Sequence, residues 1–145
     1  MKKTVSAKRL KSDPFLSEVI VDILFEEGLF FIAVINLSYR PVFKVNIKFN
    51  KQIIGLNGDK VISDLLLFRN IEFLAPRKEI KTFIDTSESY FRRKQPTKIT
   101  AAISYINSEA KQVTGTIHHD IEIYQELGYI KKNSWEKVKI INREN

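Results

Sequence analysis

The chain of 145 residues has no cysteine, and it contains only five glycines, four prolines, one methionine and one tryptophan. Without cysteine there are no disulfides, no thiolate catalysis and no cysteine ligands for zinc or iron–sulfur sites. The few glycines form no phosphate-cradling loop, so nucleotide binding has no support. No apolar run approaches the roughly 18 residues of a membrane helix. We therefore expect a soluble globular domain.

Positive charge is concentrated at the two ends. Residues 1–12 carry five Lys or Arg and no acid, and residues 128–145 carry five Lys or Arg against two Glu. The ends together carry +8 of a net charge of +7, which leaves the middle at −1. The pI near 9.6 therefore does not indicate a basic face on the folded part.

The charge pattern predicts three regions. We expect a disordered basic N-terminus over residues 1–12, a β-sandwich domain over 13–127 and a basic C-terminal tail over 128–145, whose order the sequence leaves open. The charged start has no apolar segment behind it, so we expect no secretion signal and, by default, a cytoplasmic location.

Alternation of apolar and polar residues is the main structural signal between residues 18 and 124. The clearest case is the segment 43–50, with apolar Phe43, Val45, Ile47 and Phe49. A half-buried antiparallel strand has this period of two. The segments 97–107 and 113–124 alternate in the same way around a short polar loop, so we predict that they form a hairpin. The alternation puts Ile121 and Ile123 on its inner side.

Other segments complete the prediction. We expect strands at 18–25, 29–37 and 79–84, with a turn at Gly28 between the first two. The run 29–35 hardly alternates, which is typical of a central strand covered on both sides. The segment 62–68 fits either a short strand or a helical turn, and 87–95 is interpreted as a connection.

These elements favour an all-β fold: an immunoglobulin-like two-sheet β-sandwich of about seven antiparallel strands. Short strands, frequent turn signals and the lack of a long helical pattern support it. The residues that we expect in its core are Ile35, Val45, Ile47, Phe49, Ile103 and Ile121.

A series of short structural marks runs along the chain: Val34-Ile35-Asn36-Leu37-Ser38, Pro41, Phe43-Lys44-Val45-Asn46-Ile47, Leu74-Ala75-Pro76, Ile103-Ser104-Tyr105 and Asp120-Ile121. With these marks, residues 18–124 resemble the immunoglobulin-like domains of the CARDB type and of related bacterial proteins. The resemblance implies a sandwich and a non-catalytic module of surface or membrane-associated proteins. It transfers no active-site residue.

The sequence His118-His119-Asp120, with Glu122 nearby, is the one grouping of metal-ligand residue types. Adjacent residues of a strand point to opposite faces, so the two histidines cannot share a metal without a bulge. His118, Asp120 and Glu122 do share a face, but we favour a solvated strand face with His119 half-buried. Other carboxylates are scattered singly, and we predict no catalytic residue, metal or cofactor.

Arg92, Arg93 and Lys94 form a basic cluster, flanked by Tyr90 and Phe91 and followed by Lys98. Basic side chains interleaved with aromatic rings can bind single-stranded nucleic acid. The alternative is a solvated loop whose rings close the end of the sandwich. Together with residues 1–12, the cluster supports weak, salt-sensitive contact with nucleic acid or peripheral contact with acidic lipid.

The function that we expect is that of a non-catalytic protein-interaction module. Edge strands of a sandwich have unpaired backbone groups that accept a partner's strand or a second copy of the chain. The alternative is a weak nucleic-acid-binding protein that uses its basic ends together with Arg92, Arg93, Lys94 and Lys98.

Overall fold

The computed structural model describes residues 18–127. The strands in this part of the chain are β1 (Val19–Glu26), β2 (Leu29–Asn36), β3 (Val42–Phe49), β4 (Ile54–Gly55), β5 (Lys60–Val61), β6 (Ile71–Leu74), β7 (Glu79–Thr86), β8 (Lys98–Ile106) and β9 (Gln112–Asp120). The helices are α1 (Leu66–Arg69) and α2 (Ser87–Arg92), with 3₁₀ turns at Leu56–Gly58, Ile62–Asp64 and Ile121–Tyr124. The predicted disordered end at 1–12 and the predicted tail at 128–145 lie outside the described residues.

Seven of the strands form two antiparallel sheets. One sheet has the order β1-β2-β7 and the other β6-β3-β8-β9, while β4 and β5 pair as a small separate ribbon. Apolar residues from the facing sides of both sheets make one buried core. The predicted all-β, two-sheet antiparallel sandwich is confirmed, and so is the hairpin of β8 and β9, which pair along their whole length.

The turn between β1 and β2 has only two residues, Glu27 and Gly28, because Glu26 pairs directly with Leu29. Both loop residues have positive φ, 51° and 79°, which a type I′ hairpin turn requires. The turn brings β2 back as the central strand of its sheet. As its unbroken apolar run predicted, β2 is largely buried.

Strand β3 contains a β-bulge that the period-two pattern did not predict. Lys44 has a φ of 51°, and the register against β8 shifts just after Phe43. The extra residue reverses the sides on which the following residues lie. Val45 is fully buried, whereas Phe43 pairs with Phe73, which is 57% exposed. The prediction that Phe43 shares the inner face is therefore wrong.

Most of the predicted core is buried. The residues confirmed there are Val45, Ile47, Ile103 and Ile121. Phe49 is half-buried and packs against this core. The prediction for Ile35 is wrong: it is half-buried, because the inward side of β2 there is taken by its buried neighbours Val34 and Asn36.

The ambiguous segment 62–68 follows its helical alternative, with a 3₁₀ turn at Ile62–Asp64 and the start of α1 at Leu66. Two local predictions need correction. The predicted connection at 87–95 contains α2. Strand β9 ends at Asp120, where the chain enters a 3₁₀ turn. The turn leaves Ile121 buried but Ile123 66% exposed, so the alternation does not continue to residue 124. Strand β6, only four residues long, was not predicted.

Candidate functional site

The basic cluster lies at the end of β7, and its central arginine is already engaged. The guanidinium of Arg93 makes an ion pair with the carboxylate of Asp85 and donates a hydrogen bond of 2.9 Å to the Ile54 carbonyl. Its Nε donates to the Ser89 hydroxyl at 3.2 Å. Only 18% of the Arg93 side chain and 5% of the Asp85 side chain are exposed. Arg93 therefore joins β7, α2 and β4 and does not face solvent as a free cation.

The rest of the cluster is divided between core and surface. Tyr90 is buried and Phe91 half-buried, and both rings pack edge-on against Phe30. Tyr90 therefore offers no exposed face for a base to stack on, and Phe91 offers only part of one. Arg92 is exposed, pairs with Glu88 at 3.6 Å and contacts the Asn57 side chain.

Lys94 and Lys98 are exposed. Of the four basic residues predicted to contact nucleic acid, Arg92, Lys94 and Lys98 thus reach solvent. Contact with nucleic acid stays a prediction, but one without the buried Tyr90 ring and without Arg93.

Asp85 is the buried centre of this polar network. Its carboxylate accepts hydrogen bonds from Arg93 and from the backbone amides of Thr86, at 2.9 Å, and Asn57, at 3.2 Å. Burial raises the pKa of Asp85, but the hydrogen bonds from Arg93, Ser89 and these amides together lower it by more, so the net pKa lies below its ordinary value of 3.8. The charged form is therefore the one that the fold stabilises.

The histidines have separate partners on opposite faces of β9. The Nδ1 of His118 lies 2.8 Å from the hydroxyl of Thr100 on the outer face. The Nε2 of His119 donates to the Val21 carbonyl at 2.9 Å, across the sandwich. The predicted placement on opposite faces is confirmed. Among residues 18–127, no group of three His, Asp or Glu side chains comes together in a way that could hold a metal ion.

Within residues 18–127, three of the four edges of the two main sheets are partly covered or interrupted. At β7, Gly55 lies so close that a Cβ built on it would meet the Ile84 carbonyl oxygen at 2.1 Å. At β1, the outward-facing Val21 carbonyl is taken by His119. At β6, the strand is short, and the side-chain amide of Asn36 donates to the carbonyl of its last residue, Leu74, at 3.2 Å. Such devices keep an edge from pairing with another chain.

In the part of the chain that the structure describes, the edge of β9 has none of these devices. Its nine residues contain no proline, lysine or arginine, and its register with β8 runs without a bulge from Lys98 opposite Asp120 to Ile106 opposite Gln112. The turn bond from the Asn107 amide to the Lys111 carbonyl fixes the alternation of hydrogen-bonded pairs. The residues whose backbone groups point away from β8 are consequently Gln112, Thr114, Thr116, His118 and Asp120.

These outward backbone groups meet no strand within the described part of the chain, since β9 is the last strand of its sheet. The adjoining outer face of the sheet is a shallow open trough of about 610 Å³. Two rows of side chains cross it from β3 to β9: Asn46, Ser104 and Thr114, then Lys48, Ala102 and Thr116. Because these side chains are mostly small, the surface beside the open edge is flat and polar.

The sequence did not identify β9 as the open edge or Asp85 as the anchor of a network. A signal existed for each. The segment 112–120 contains no lysine, arginine or proline, which are residue types that guard an edge. Thr86 is a helix-capping residue type, and its hydroxyl does accept from the Ser89 amide at 3.1 Å; a helix starting there carries Arg93 back towards Asp85.

Comparison with known proteins identifies the family of the chain but assigns no activity to it. Among residues 18–127, no helix has the length and hydropathy needed to cross a membrane. No curated protein matches the sequence. A family model matches residues 2–125, which is most of the chain. The chain belongs to the family described as domain of unknown function (DUF8453).

Proposed function

We propose that this protein is a non-catalytic interaction module that accepts an extended strand of a protein partner along β9. The observation that carries the proposal is the edge of β9, a regular nine-residue strand without lysine, arginine or proline that no strand of residues 18–127 covers. A backbone N–H or C=O group that is left unpaired at such an edge gains a hydrogen bond when a strand is added. The shallow open trough beside the edge gives the side chains of the added strand room to lie on the outer face of the sheet.

The order of the strands supports the proposal that the sandwich is of the immunoglobulin-like type. In such domains strands A, B and E share one sheet, and C, F and G share the other. Here the first, second and fifth of the seven strands in the two main sheets, β1, β2 and β7, form one sheet. The third, sixth and seventh, β3, β8 and β9, lie together in the other, and β6 joins β3. Strand β9 then corresponds to G, an edge strand.

Two substitutions at Thr116 test the proposal. Thr116 points its amide away from β8, so proline there removes an outward donor and leaves the ladder to β8 intact. Valine keeps the amide and has nearly the same shape, which makes Thr116→Val the matched control. A library of random linear peptides is selected on the wild-type protein at low protein concentration, and the peptides are then titrated against both variants.

We expect the selected peptides to bind the wild-type protein and Thr116→Val alike and to bind Thr116→Pro at least about tenfold more weakly, since an edge proline blocks pairing. Amide chemical shifts of the wild-type protein should change mainly along residues 112–120. Peptides that bind Thr116→Pro equally well, or shifts confined to other elements, would contradict the proposal.

A further inference from the structure

We infer that the strand received by β9 is β9 of a second copy of this chain, paired antiparallel about a two-fold axis at Thr116. This inference rests on the proposed function, since it names the partner of the same edge. The result would be one continuous sheet of eight strands, four from each copy. A strand with one free edge can pair with itself in this way only if its outward groups, its side chains and its charges are all self-complementary.

The outward backbone groups satisfy the first condition. In an antiparallel pair centred on Thr116, each outward residue of one copy lies opposite an outward residue of the other. Thr116 faces Thr116 of the second copy, Thr114 faces His118, and Gln112 faces Asp120. Each such pair exchanges N–H···O bonds in both directions. This register overlaps all nine residues of the strand, and no other two-fold register does.

The side chains satisfy the second condition. Two threonines meet on the outer face at the axis, a pair that favours antiparallel strands. On the inner side, Gly115 lies opposite Ile117 of the second copy, so a small residue faces a large one. Val113 and Ile117 are only half-buried in the single chain although they pack against its core. Pairing would cover more of their surface.

The charges satisfy the third condition and select the antiparallel direction. Lys111 lies just before β9, whereas Asp120 ends the strand and Glu122 follows it, and all three are exposed. An antiparallel second copy brings each lysine to the end where the other strand carries its acids. The symmetry repeats this attraction at both ends. A parallel partner of the same sequence would place like charges together.

The contact is small, because it consists mainly of one strand against another. Interfaces at the lower end of the size range are typical of transient association. We therefore expect a dimer with a dissociation constant on the order of 10 µM, which gives monomer and dimer in exchange at ordinary working concentrations.

The absence of cysteine from the whole chain makes a direct test available. In the inferred register Thr116→Cys brings two thiols together, because opposite Cα atoms of a hydrogen-bonded pair are about 5.5 Å apart, within disulfide reach. Thr114→Cys is the matched control: it lies on the same strand and face, but its two copies are separated by four residues along the strand, about 14 Å. Both variants of the full chain are oxidised mildly and analysed without reductant.

We expect a cross-linked dimer from Thr116→Cys and none, or at least tenfold less, from Thr114→Cys. Equal cross-linking of both variants, or faster cross-linking of Thr114→Cys, would overturn the register. Sedimentation equilibrium of the unmodified chain gives the second readout. A chain that remains monomeric at hundreds of micromolar would overturn the inference. If a selected peptide still binds along β9 of that chain, the second copy is excluded as the partner, but the proposed strand-accepting function stands.

Reversing the charge of Lys111 gives a third readout, and it leaves every residue of β9 unchanged. Lys111→Glu places like charges at both ends of the dimer, so we expect its dissociation constant to rise about fivefold at low salt, as two weak surface contacts are reversed. Adding Glu122→Lys to the same chain should restore most of the affinity. An unchanged dissociation constant in Lys111→Glu would contradict the antiparallel arrangement.

Discussion

Strands β7 and β9 are both edge strands of the same sandwich, yet only β7 is covered. The segment 54–58 lies against the end of β7, and Gly55 leaves no room for a side chain beside the Ile84 carbonyl. Asp85 and Arg93 fasten this cover by joining β7 to α2 and to the Ile54 carbonyl. Strand β9 has no equivalent segment among residues 18–127.

The comparison shows that, within residues 18–127, a packed segment covers the end of β7 while the edge of β9 has no such cover. Covering β7 requires a buried ion pair, which carries a desolvation cost and stabilises only when its hydrogen bonds are complete. Here they are complete for Asp85. The proposed pairing at β9 rests on this difference between the two edges.

Breaking the cover of β7 should have the largest effect on stability. Asp85→Ala leaves the largely buried Arg93 without its counter-charge, and we expect a loss of about 3 kcal/mol in the free energy of unfolding. Urea unfolding measures it. Glu26→Ala is the control, because it removes an exposed pair with Lys81 that is worth about 0.5 kcal/mol or less. Equal losses in the two variants would show that the network does not hold the cover.

Pushing the cover away from β7 with one added methyl group, without removing a charge, should have a somewhat smaller effect on stability. In Gly55→Ala the new Cβ meets the Ile84 carbonyl oxygen, which is backbone and cannot rotate away. We expect a loss of about 2 kcal/mol, the usual size for overpacking, and faster hydrogen exchange at outward-facing β7 amides. Gly58→Ala is the control for space, since nothing lies within 4 Å of a Cβ there, although its φ of 99° adds strain of its own. Unchanged β7 exchange in Gly55→Ala would contradict the close packing.

Lowering the pH should gradually reduce the stability that Asp85 gives to the same cover of β7. The pKa of Asp85 in the folded chain lies below its ordinary value of 3.8 because of the hydrogen bonds from Arg93 and the neighbouring amides. Its stabilisation is therefore fully present above pH 3.8 and is lost as the pH falls through the folded pKa. The difference in unfolding free energy between wild type and Asp85→Asn should be constant from pH 7 to 5 and should shrink below 3.8. A difference that grows on acidification would contradict the sign of the shift.

Substitution on the outer face of β9 should have the smallest effect. Thr114→Val keeps the shape and the backbone amide at an exposed position, so we expect a change within about 0.5 kcal/mol. The same urea experiment measures it. A loss comparable with that of Asp85→Ala would show that β9 is held by contacts that this account omits.

The strand pattern was predictable because it is local. A period of two and a polar loop were enough to predict β8, β9 and their pairing. The bulge at Lys44 was not, since a lysine with positive φ has no sequence signal comparable to that of a glycine. Strand β6, at four residues, is too short to show a period.

The candidate site was less predictable because it depends on whether another segment of the chain lies beside a strand. The sequence showed that 112–120 alternates, but whether a strand is central or at an edge depends on the order of strands in the sheet. The pairing of Asp85 with Arg93 was hidden for a related reason. It forms only because the chain between them turns into α2, which was interpreted as a connection.

Residue-resolved hydrogen exchange of the full wild-type chain, followed as a function of protein concentration, tests the central claim most directly. The decisive amides are those of Thr114, Thr116 and His118, which point away from β8. The account predicts that their exchange slows as concentration rises through the dissociation constant, while exchange along β7 does not change. Rapid exchange of these three amides at every concentration, or slowing that appears along β7 instead, would contradict the claim that β9 is the edge at which this protein associates.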